Sequence, residues 1–454
     1  MAVNLINIGL SGINAAEAEI QATEANITNA SNPNYSAEAA VLAPEVGADG
    51  STVGVQVLGI QSAQAPFITT DLNQAQSTES YNSSYAQVTQ LAQTYLAPAS
   101  GDDLLQSLQG LFNSLTNLSA SPQDPPTREA VLSAASNFAT MSQQLSQQFN
   151  QSVSNELGTV PSMVQQVNSD SQQIAQLNSQ IQAASAGGGD AGALLDQRGA
   201  LVSDLSNLIG ASADANGNVS VAGVPLVSGS TPLTLSTTGS GTNFSLSVSM
   251  PNGNMVLPTD ELGGTIGGSL SGANRVAQLN NDLNTFVTSV ANSLNNQSQQ
   301  GYGLDGSTNN ALFEIGAGGN GIALNPAINE ENLPASATAA GVPGDGSNAA
   351  AMAELANSTG LDAGFPTSTL SQAYTQLASA FGSDIQNASS AQSTAASSVQ
   401  SLSQLQSSVT GVSLNQELAN LIQYQNALQA AGRALQVVND NISFLITQIT
   451  PATG

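Results

Sequence analysis

The sequence predicts a mainly α-helical, elongated chain that carries one small antiparallel β domain and then returns to where it began. Three observations predict this class. Apolar residues repeat at heptad spacing at both ends of the chain, long helical patterns lie between those ends, and residues 211–268 alone alternate with period two. We therefore expect a nested, out-and-back multidomain rod whose N- and C-terminal helices pair as a coiled coil.

The N-terminal helix is predicted by a seam of apolar and small residues at alternating spacings of three and four. The large members of this seam are Ile6, Ile13, Ile20 and Ile27. The helix is expected to end before Pro33, because proline disfavours helical geometry in the residue that precedes it.

The C-terminal helix follows the same rule until Pro451. Its large apolar residues are Leu414, Leu418, Leu421, Leu428, Leu435 and Ile442. We expect the two terminal helices to pair with each other and to form the assembly interface of the molecule. The alternative, in which each is an ordinary amphipathic helix that stabilises the core of a single chain, stays open at this stage.

The interior of the chain contains several further helical patterns. A long helix is predicted from near Arg128 to the glycine run 187–189, and a short one from Leu194 to Ile209. Further apolar faces lie within residues 276–294 and 374–405. The stretch 301–346 is rich in Gly, Ala and Asn without clear periodicity, so it is expected to form loops with short strands.

The β domain is predicted by alternation of apolar and polar residues within 211–268. Asn216-Gly217 and Asn252-Gly253 are typical of hairpin turns. The predicted division of the chain follows from these patterns. It consists of a terminal coiled-coil domain (1–35 and 411–454), a helical rod domain (36–210 and 269–410) and the inserted β domain (211–268).

The composition excludes most enzyme classes. Lys and Arg together number 4 against 31 Asp and Glu, the net charge is −27, and the chain has no Lys, His, Cys or Trp. Catalytic systems based on His, Cys or Lys, and the usual zinc, haem and iron–sulfur sites, are therefore excluded. We expect no enzymatic activity, no cofactor and no metal. Nucleic acid and anionic membranes are not expected partners, because both require clustered cations.

Charged residues make up 8% of the chain, and its polarity comes instead from neutral side chains. Such a surface lets identical subunits pack closely without strong repulsion. The absence of Cys suits a reducing compartment or an exported protein that travels unfolded. The sequence shows no basic N-terminal region of a cleavable signal peptide and no apolar run of membrane-spanning length.

Two patterns of acidic residues allow other chemistries. Asp305, Ser307 and Asn309 alternate as calcium ligands do, but the spacing lacks the turn glycine and the distal glutamate, which favours a polar turn. The adjacent Asp102 and Asp103 could serve glycoside hydrolysis, although a helix N-cap is the favoured interpretation.

A resemblance to a known family rests on motifs at both ends and in the middle of the chain. Residues 10–16 (LSGINAA), 25–30 (ANITNA) and 33–35 (PNY) resemble the N-terminal signature shared by the flagellar axial proteins of rod, hook and hook–filament junction. Residues 194–198 (LLDQR) and 411–417 (GVSLNQE) resemble motifs of the junction members. Next to Asp196, Arg198 is expected to form an ion pair within the helix.

The resemblance implies a structural role. Family members form a ring of subunits at the distal end of the hook, so the implied partners are further copies of this chain, the hook protein and a second hook-associated junction protein. An export chaperone before secretion, an extracellular location and export without a cleaved signal peptide are implied as well. The termini are expected to be disordered before assembly, because isolated helices with few large apolar residues have little to bury.

Two alternatives use the same sequence differently. A hook or distal-rod axial protein would share both termini, and the motif at 194–198 argues against it. An extracellular adhesin would act through residues 211–268 and would not need its termini.

Overall fold

The computed structural model describes residues 2–32, 35–47, 51–96, 103–186, 191–239, 244–316, 321–361, 364 and 366–449; at 2–5, 446, 448 and 449 it describes the backbone alone. The features predicted at Pro33, Asp102, the glycine run 187–189 and Pro451 lie outside these residues.

Helices dominate the described chain. In order they are α1 (Ala2–Asn29), α2 (Pro66–Leu96), α3 (Leu104–Ala120), α4 (Pro125–Ala186), α5 (Gly192–Ile209), α6 (Gly264–Ser298), α7 (Ser347–Glu354), α8 (Leu370–Thr410) and α9 (Leu414–Ile449). None of the described helices is both long and apolar enough to cross a bilayer.

The described strands pair antiparallel in four small sheets. β1 (Glu38–Val46) pairs with β2 (Thr52–Ser62), and β10 (Phe313–Ile315) pairs with β11 (Ile322–Leu324). The other two sheets lie between α5 and α6. They comprise β3 (Ser212–Ala213), β4 (Val219–Val221), β5 (Val224–Ser228) and β6 (Thr231–Pro232) in one sheet, and β7 (Thr234–Thr238), β8 (Ser245–Met250) and β9 (Gly253–Val256) in the other.

The helical body is built on α2, which packs antiparallel to α8. The Tyr374 hydroxyl at the start of α8 donates to the carbonyl of Leu96 at the end of α2 (2.9 Å), and Gln406 near the end of α8 donates to Thr69 (3.3 Å). α6 lies on another side of α2, and its Gly268 faces the Tyr81 carbonyl so closely that a Cβ would overlap it. Glycine at this position therefore sets how closely the two helices approach.

α4 is a single helix of 62 residues that continues through Pro161. Its buried stripe runs on either side of that proline, with Val160 and Val164 both buried. A proline inside a helix removes one backbone hydrogen bond, and packing of the apolar stripe compensates for that loss.

The strands of residues 212–256 are held on α4 by two asparagines. The Asn168 side chain donates to the Leu235 carbonyl and accepts from the Leu235 amide, both at 2.8 Å. The Asn178 amide donates to the carbonyls of Gly217 (2.9 Å) and Gly229 (2.7 Å). Side-chain amides can satisfy strand edges and turns in this way because each carries both donors and an acceptor.

The hairpin of β1 and β2 was not predicted, since the sequence places residues 36–62 with the helical rod. Its signal is weak because most of its residues are only half-buried and a bulge shifts the register between Val41 and Leu42. Packing against α1 stabilises the hairpin, which local sequence patterns do not reveal.

Candidate assembly surface

The terminal helices α1 and α9 pair antiparallel along their length. A Cβ on Gly9 would lie 2.7 Å from Leu435 Cγ, and a Cβ on Gly12 would lie 3.7 Å from Ala431 Cβ. Residue numbers therefore rise in α1 as they fall in α9. Glycine at position 9 lets a leucine of the partner helix pack directly against the backbone of α1.

The ten predicted interface residues differ in exposure. Ile13, Ile20, Ile27, Leu421, Leu428, Leu435 and Ile442 are half-buried. Ile6, Leu414 and Leu418 are more exposed, at 36%, 49% and 50%. The structure brings Leu435 against Gly9. That the ten predicted residues contact other copies of the chain stays a prediction.

The outward side of α9 carries uncovered large apolar side chains among polar ones. No described residue of α9 is buried, and Ile422, Val437 and Phe444 are 61%, 59% and 61% exposed. Large exposed apolar side chains on one side of a helix are typical of a surface that binds another protein. On α1, Ile8 and Leu10 are also exposed.

Ser11 explains part of the N-terminal motif. Its Oγ accepts a hydrogen bond from the Val55 amide (3.2 Å) and donates to the Ile8 carbonyl (2.9 Å). A Cβ on Gly54 would lie 2.5 Å from the same Oγ. A small serine on α1 facing a glycine on β2 thus lets the helix dock on the hairpin.

Asn26 explains a second part of the motif. Its side chain is 2% exposed, and its Oδ1 accepts from the Tyr35 hydroxyl (2.9 Å) and the Glu38 amide (2.7 Å). Its Nδ2 donates to the Glu38 carbonyl (2.8 Å). One buried amide therefore ties α1 to Tyr35 and to the start of β1.

Two hydrogen bonds between described residues join the terminal part, which consists of α1, β1, β2 and α9, to the helical body. The Ser36 amide donates to Asp196 Oδ2 (2.9 Å), and the Ala37 amide donates to the Thr410 carbonyl (2.8 Å). The role of Asp196 was not predicted, because its partner lies 160 positions away in sequence.

The expected ion pair between Asp196 and Arg198 is wrong. Arg198 donates to Asn178 Oδ1 (3.1 Å) and lies beside Gly217. Side chains two positions apart in a helix point to different sides, so Asp196 faces the terminal part and Arg198 faces the strands. Burial lowers the pKa of Arg198, and the Asp214 carboxylate opposes that effect.

The electrostatic character of the helix pair is acidic. Burial raises the pKa of the Glu19 carboxyl. Burial also raises the pKa of the Tyr424 phenol, and the charges of Glu19 and Glu417 act in the same direction. These three groups lie together where α9 crosses the second half of α1, so the pair carries negative charge beside its apolar outer side.

The acidic residues considered above for glycoside hydrolysis and for calcium binding make hydrogen bonds to residues close to them in sequence. Asp103 is the N-cap of α3 and accepts from the Gln106 amide (2.7 Å), as favoured by the sequence. Asp305 Oδ1 accepts from the Ser307 amide (2.9 Å) and hydroxyl (2.6 Å), which lowers the pKa of Asp305. The predicted polar turn is thus confirmed at Asp305.

Comparison with known proteins finds similarity to flagellar hook-associated proteins. Residues 88–313 match the family model described as the helical domain of flagellar hook-associated protein FlgK. Flagellar hook-associated protein 1 of Salmonella typhimurium is 33% identical over 336 residues, and that of Escherichia coli K12 is 30% identical over 335 residues. Each alignment covers 69% of this chain and 60% of the relative.

The chain is similar to the FlgK family over its helical middle part. The part matched by the FlgK model runs from α2 to the start of β10, so it includes α5 and its motif at 194–198. The chain spans 60% of the length of these curated FlgK-family relatives.

A solved structure supports the FlgK fold. It is titled the structure of the flagellar hook junction protein FlgK from Burkholderia pseudomallei, and it superposes with a TM-score of 0.63 at 18% identity. The match covers 76% of this chain and 100% of that one. The mainly helical class with small antiparallel sheets is thereby confirmed.

Proposed function

We propose that this chain is a structural subunit of the bacterial flagellum that forms the junction between hook and filament. Its identity with the curated hook-associated proteins at 33% over 336 residues supports the family role. The single structural observation that carries the proposal is the uncovered apolar outer side of the terminal helix pair. A surface of this kind is what a subunit that stacks on others requires.

The assembly we propose uses the terminal helices and is built from identical subunits. Contacts in which one patch of a subunit meets a different patch of the next generate rings or helical arrays. The terminal domain would comprise α1, the hairpin of β1 and β2 that packs on it, and α9, with the helical body and the strands of residues 212–256 outside it. Ile6, Leu414 and Leu418 would be among the contacts, because they stay exposed in the single chain.

The proposed partners follow from this position. Further copies of the chain, the hook protein and a second hook-associated junction protein would contact the assembled subunit, and an export chaperone would bind it before secretion. The location is extracellular, on the flagellum, reached without a cleaved signal peptide. The role is structural and not enzymatic.

The experiment is electron microscopy of the source bacterium lacking this chain, with the wild-type chain restored as control. We expect hooks of normal length without filaments, with flagellin released into the medium. Absent hooks would assign the chain to the hook or rod instead. Normal flagella would contradict an axial role and favour an adhesin.

A further inference from the structure

The strand β9 forms an open edge of the sheet built from β7, β8 and β9. All residues of β9 are exposed, and Met255 and Val256 are 46% and 64% exposed. At the opposite edge of the same sheet, the Asn168 side chain bonds both the amide and the carbonyl of Leu235 on β7. One edge of this sheet is therefore covered by α4, whereas the edge formed by β9 is uncovered.

The pairing of β9 with β8 fixes which backbone groups point outward. The Leu257 amide, just after β9, donates to the Leu246 carbonyl of β8 (2.8 Å). Alternate residues of an antiparallel strand turn their backbone groups to the same side, so Met255 also faces β8, whereas Asn254 and Val256 face away from it. Among the described residues, the backbone amides and carbonyls of Asn254 and Val256 have no hydrogen-bond partner.

β9 lacks the features that usually prevent strand edges from pairing. Proteins protect open edges with charged residues, prolines or bulges. β9 contains no charged residue and no proline, and it pairs with β8 without a register shift. Residues 215–259 contain no charged residue at all, although the chain carries a net charge of −27. Two copies can therefore bring this region together without placing carboxylates opposite each other.

We infer that β9 pairs antiparallel with β9 of a second copy about a two-fold axis, so that two three-stranded sheets become one continuous sheet. A second copy is the occupant because its β9 supplies the same outward backbone groups, in a region equally free of charge. Asn254 of each copy would lie opposite Val256 of the other, and every outward amide and carbonyl of these residues would then be bonded.

The register of this pairing follows from the sequence of β9. With Met255 opposite Met255, Asn254 lies opposite Val256 in both directions. A shift towards the turn would place Val256 opposite Asn252, which lies in the turn before β9 and not in a strand. The opposite shift would place Asn254 opposite Pro258, which has no amide to donate. The register centred on Met255 is therefore the one that satisfies all the outward groups.

This contact goes beyond the proposed function. A contact in which the same patch of two copies meets closes on itself, whereas an array is built from contacts in which one patch meets a different one. The β9 pair is therefore a state of folded chains outside the array. One short strand on each side buries much less than the roughly 1,200 Å² of a stable interface, so we expect a reversible dimer that forms at high concentration.

The test uses the absence of cysteine from the chain. The purified chain of 454 residues carrying Met255→Cys is oxidised mildly and separated on a non-reducing gel. Opposed residues at such a position of an antiparallel pair lie about 4.5 Å apart between Cα atoms, which a disulfide can span. We expect most of the variant to become a disulfide dimer, with a circular dichroism spectrum unchanged from that of the wild type.

Asn254→Cys is the matched control, since it is exposed on the same strand. In the inferred register, the two copies of residue 254 lie about 9 Å apart between Cα atoms, too far for a disulfide, so this variant should stay monomeric. The same holds for Val256→Cys alone. A mixture of Asn254→Cys and Val256→Cys should give a disulfide dimer, because these positions lie opposite each other. If Met255→Cys dimerises no more than Asn254→Cys, the inference is overturned.

Charges at Met255 give an independent readout. Met255→Lys and Met255→Glu each place two like charges opposite each other, which destabilises a pair of strands. Analytical ultracentrifugation should show a concentration-dependent dimer for the wild type, none for either variant alone, and a dimer again for an equal mixture of the two. A mixture no more dimeric than the separate variants contradicts the pairing.

A measurement in cells separates this inference from the proposed function. Met255→Lys should restore filaments as well as the wild-type chain does in the strain that lacks the chain, because the β9 pair lies outside the array. Loss of filaments with this variant alone would contradict that placement. If the wild-type chain itself fails to restore filaments, the proposed function fails, while the disulfide test of the β9 pair is unaffected.

Discussion

At the scale of single residues, Asp170 is a buried carboxyl that the fold pairs only in part. The sequence places it in the apolar seam of α4, and it is 1% exposed. Gln166 donates to its Oδ1 (2.7 Å), whereas Oδ2 has no hydrogen-bond partner among the described residues. Burial raises the pKa of the Asp170 carboxyl, and the Asp204 charge acts in the same direction.

The consequence for stability has a definite sign. A carboxyl whose pKa is higher in the folded chain than in the unfolded chain binds its proton more tightly when folded. Ionisation of Asp170 therefore lowers stability as the pH rises from the unfolded to the folded pKa, and above the folded pKa the loss is complete. The contribution of Asp170 therefore makes the chain more stable in acid.

We expect Asp170→Asn to raise the free energy of unfolding at pH 7 by about 1 kcal/mol, because a neutral amide is less costly to bury than a carboxylate. The gain should shrink towards about pH 3, where the wild-type carboxyl is protonated. Urea unfolding at several pH values measures it. Asp282→Asn, at an exposed position, controls for net charge. A variant less stable than wild type at pH 7 would contradict the assignment.

Arg128 is a buried cation with three carbonyl partners. Its guanidinium donates to the backbone carbonyls of Pro122, Glu330 and Leu333, the first at 2.5 Å. It thereby joins the start of α4 to the loop between β11 and α7. Buried carbonyls left without donors are costly, so this side chain fixes the position of the loop.

We expect Arg128→Met to lower the free energy of unfolding by about 3 kcal/mol, measured by urea denaturation, since it leaves three acceptors unpaired. The matched control is Arg433→Met, which removes the same charge from an exposed position and should change the free energy by less than about 0.5 kcal/mol in the unassembled chain. Equal effects of the two variants would show that loss of positive charge, and not the buried contacts, decides stability.

At the scale of elements, the close packing of α2 and α6 depends on glycines of α6. Gly268 lies against the Tyr81 backbone, and a Cβ on Gly272 would lie 3.0 Å from Val88 Cβ. Backbone cannot move aside as a flexible side-chain end can. In α4, by contrast, Gly158 has open space around it.

We expect Gly268→Ala to destabilise the chain by about 2 kcal/mol through overpacking. Gly158→Ala should stabilise it by about 0.5–1 kcal/mol, because alanine favours the helix and meets nothing. Thermal unfolding followed by circular dichroism measures both. The test is whether the two variants change the stability in opposite directions. If both variants were more stable than wild type, α6 would have space for a side chain against α2.

At the scale of the whole molecule, the terminal pair stands outside the hydrophobic core. The core cluster of the described residues begins at Val88 and ends at Ile385, so neither α1 nor α9 contributes to it. The buried residues of α1 are small or polar, for example Ala16 and Asn26. The helical body and the strands therefore hold together without the terminal helices.

We expect a fragment of residues 63–410 to unfold within about 2 °C of the full chain, because it keeps the whole core cluster. The same fragment should fail to restore filaments in the strain that lacks the chain. Thermal unfolding and electron microscopy check the two halves separately. A large drop in midpoint would mean that the terminal pair stabilises the body, which is the alternative left open by its sequence pattern.

The sequence by itself determined the elements whose signal is local. Heptad spacing predicted both terminal helices, period-two alternation placed the strands between α5 and α6, and Asp103 was correctly favoured as an N-cap. Composition alone excluded whole classes of chemistry. The predictions of helices, strands and the N-cap succeed because helix period and capping residues depend on neighbours a few positions apart.

The tertiary structure alone decided which side chains meet. The partner of Asp196 is Ser36, that of Arg198 is Asn178, and the hairpin of β1 and β2 forms by packing on α1. The exposure of Ile422, Val437 and Phe444 on α9 was also settled only by folding. The physical reason is that a side chain's direction follows from its own helix, whereas its partner depends on residues far away in sequence that folding brings close.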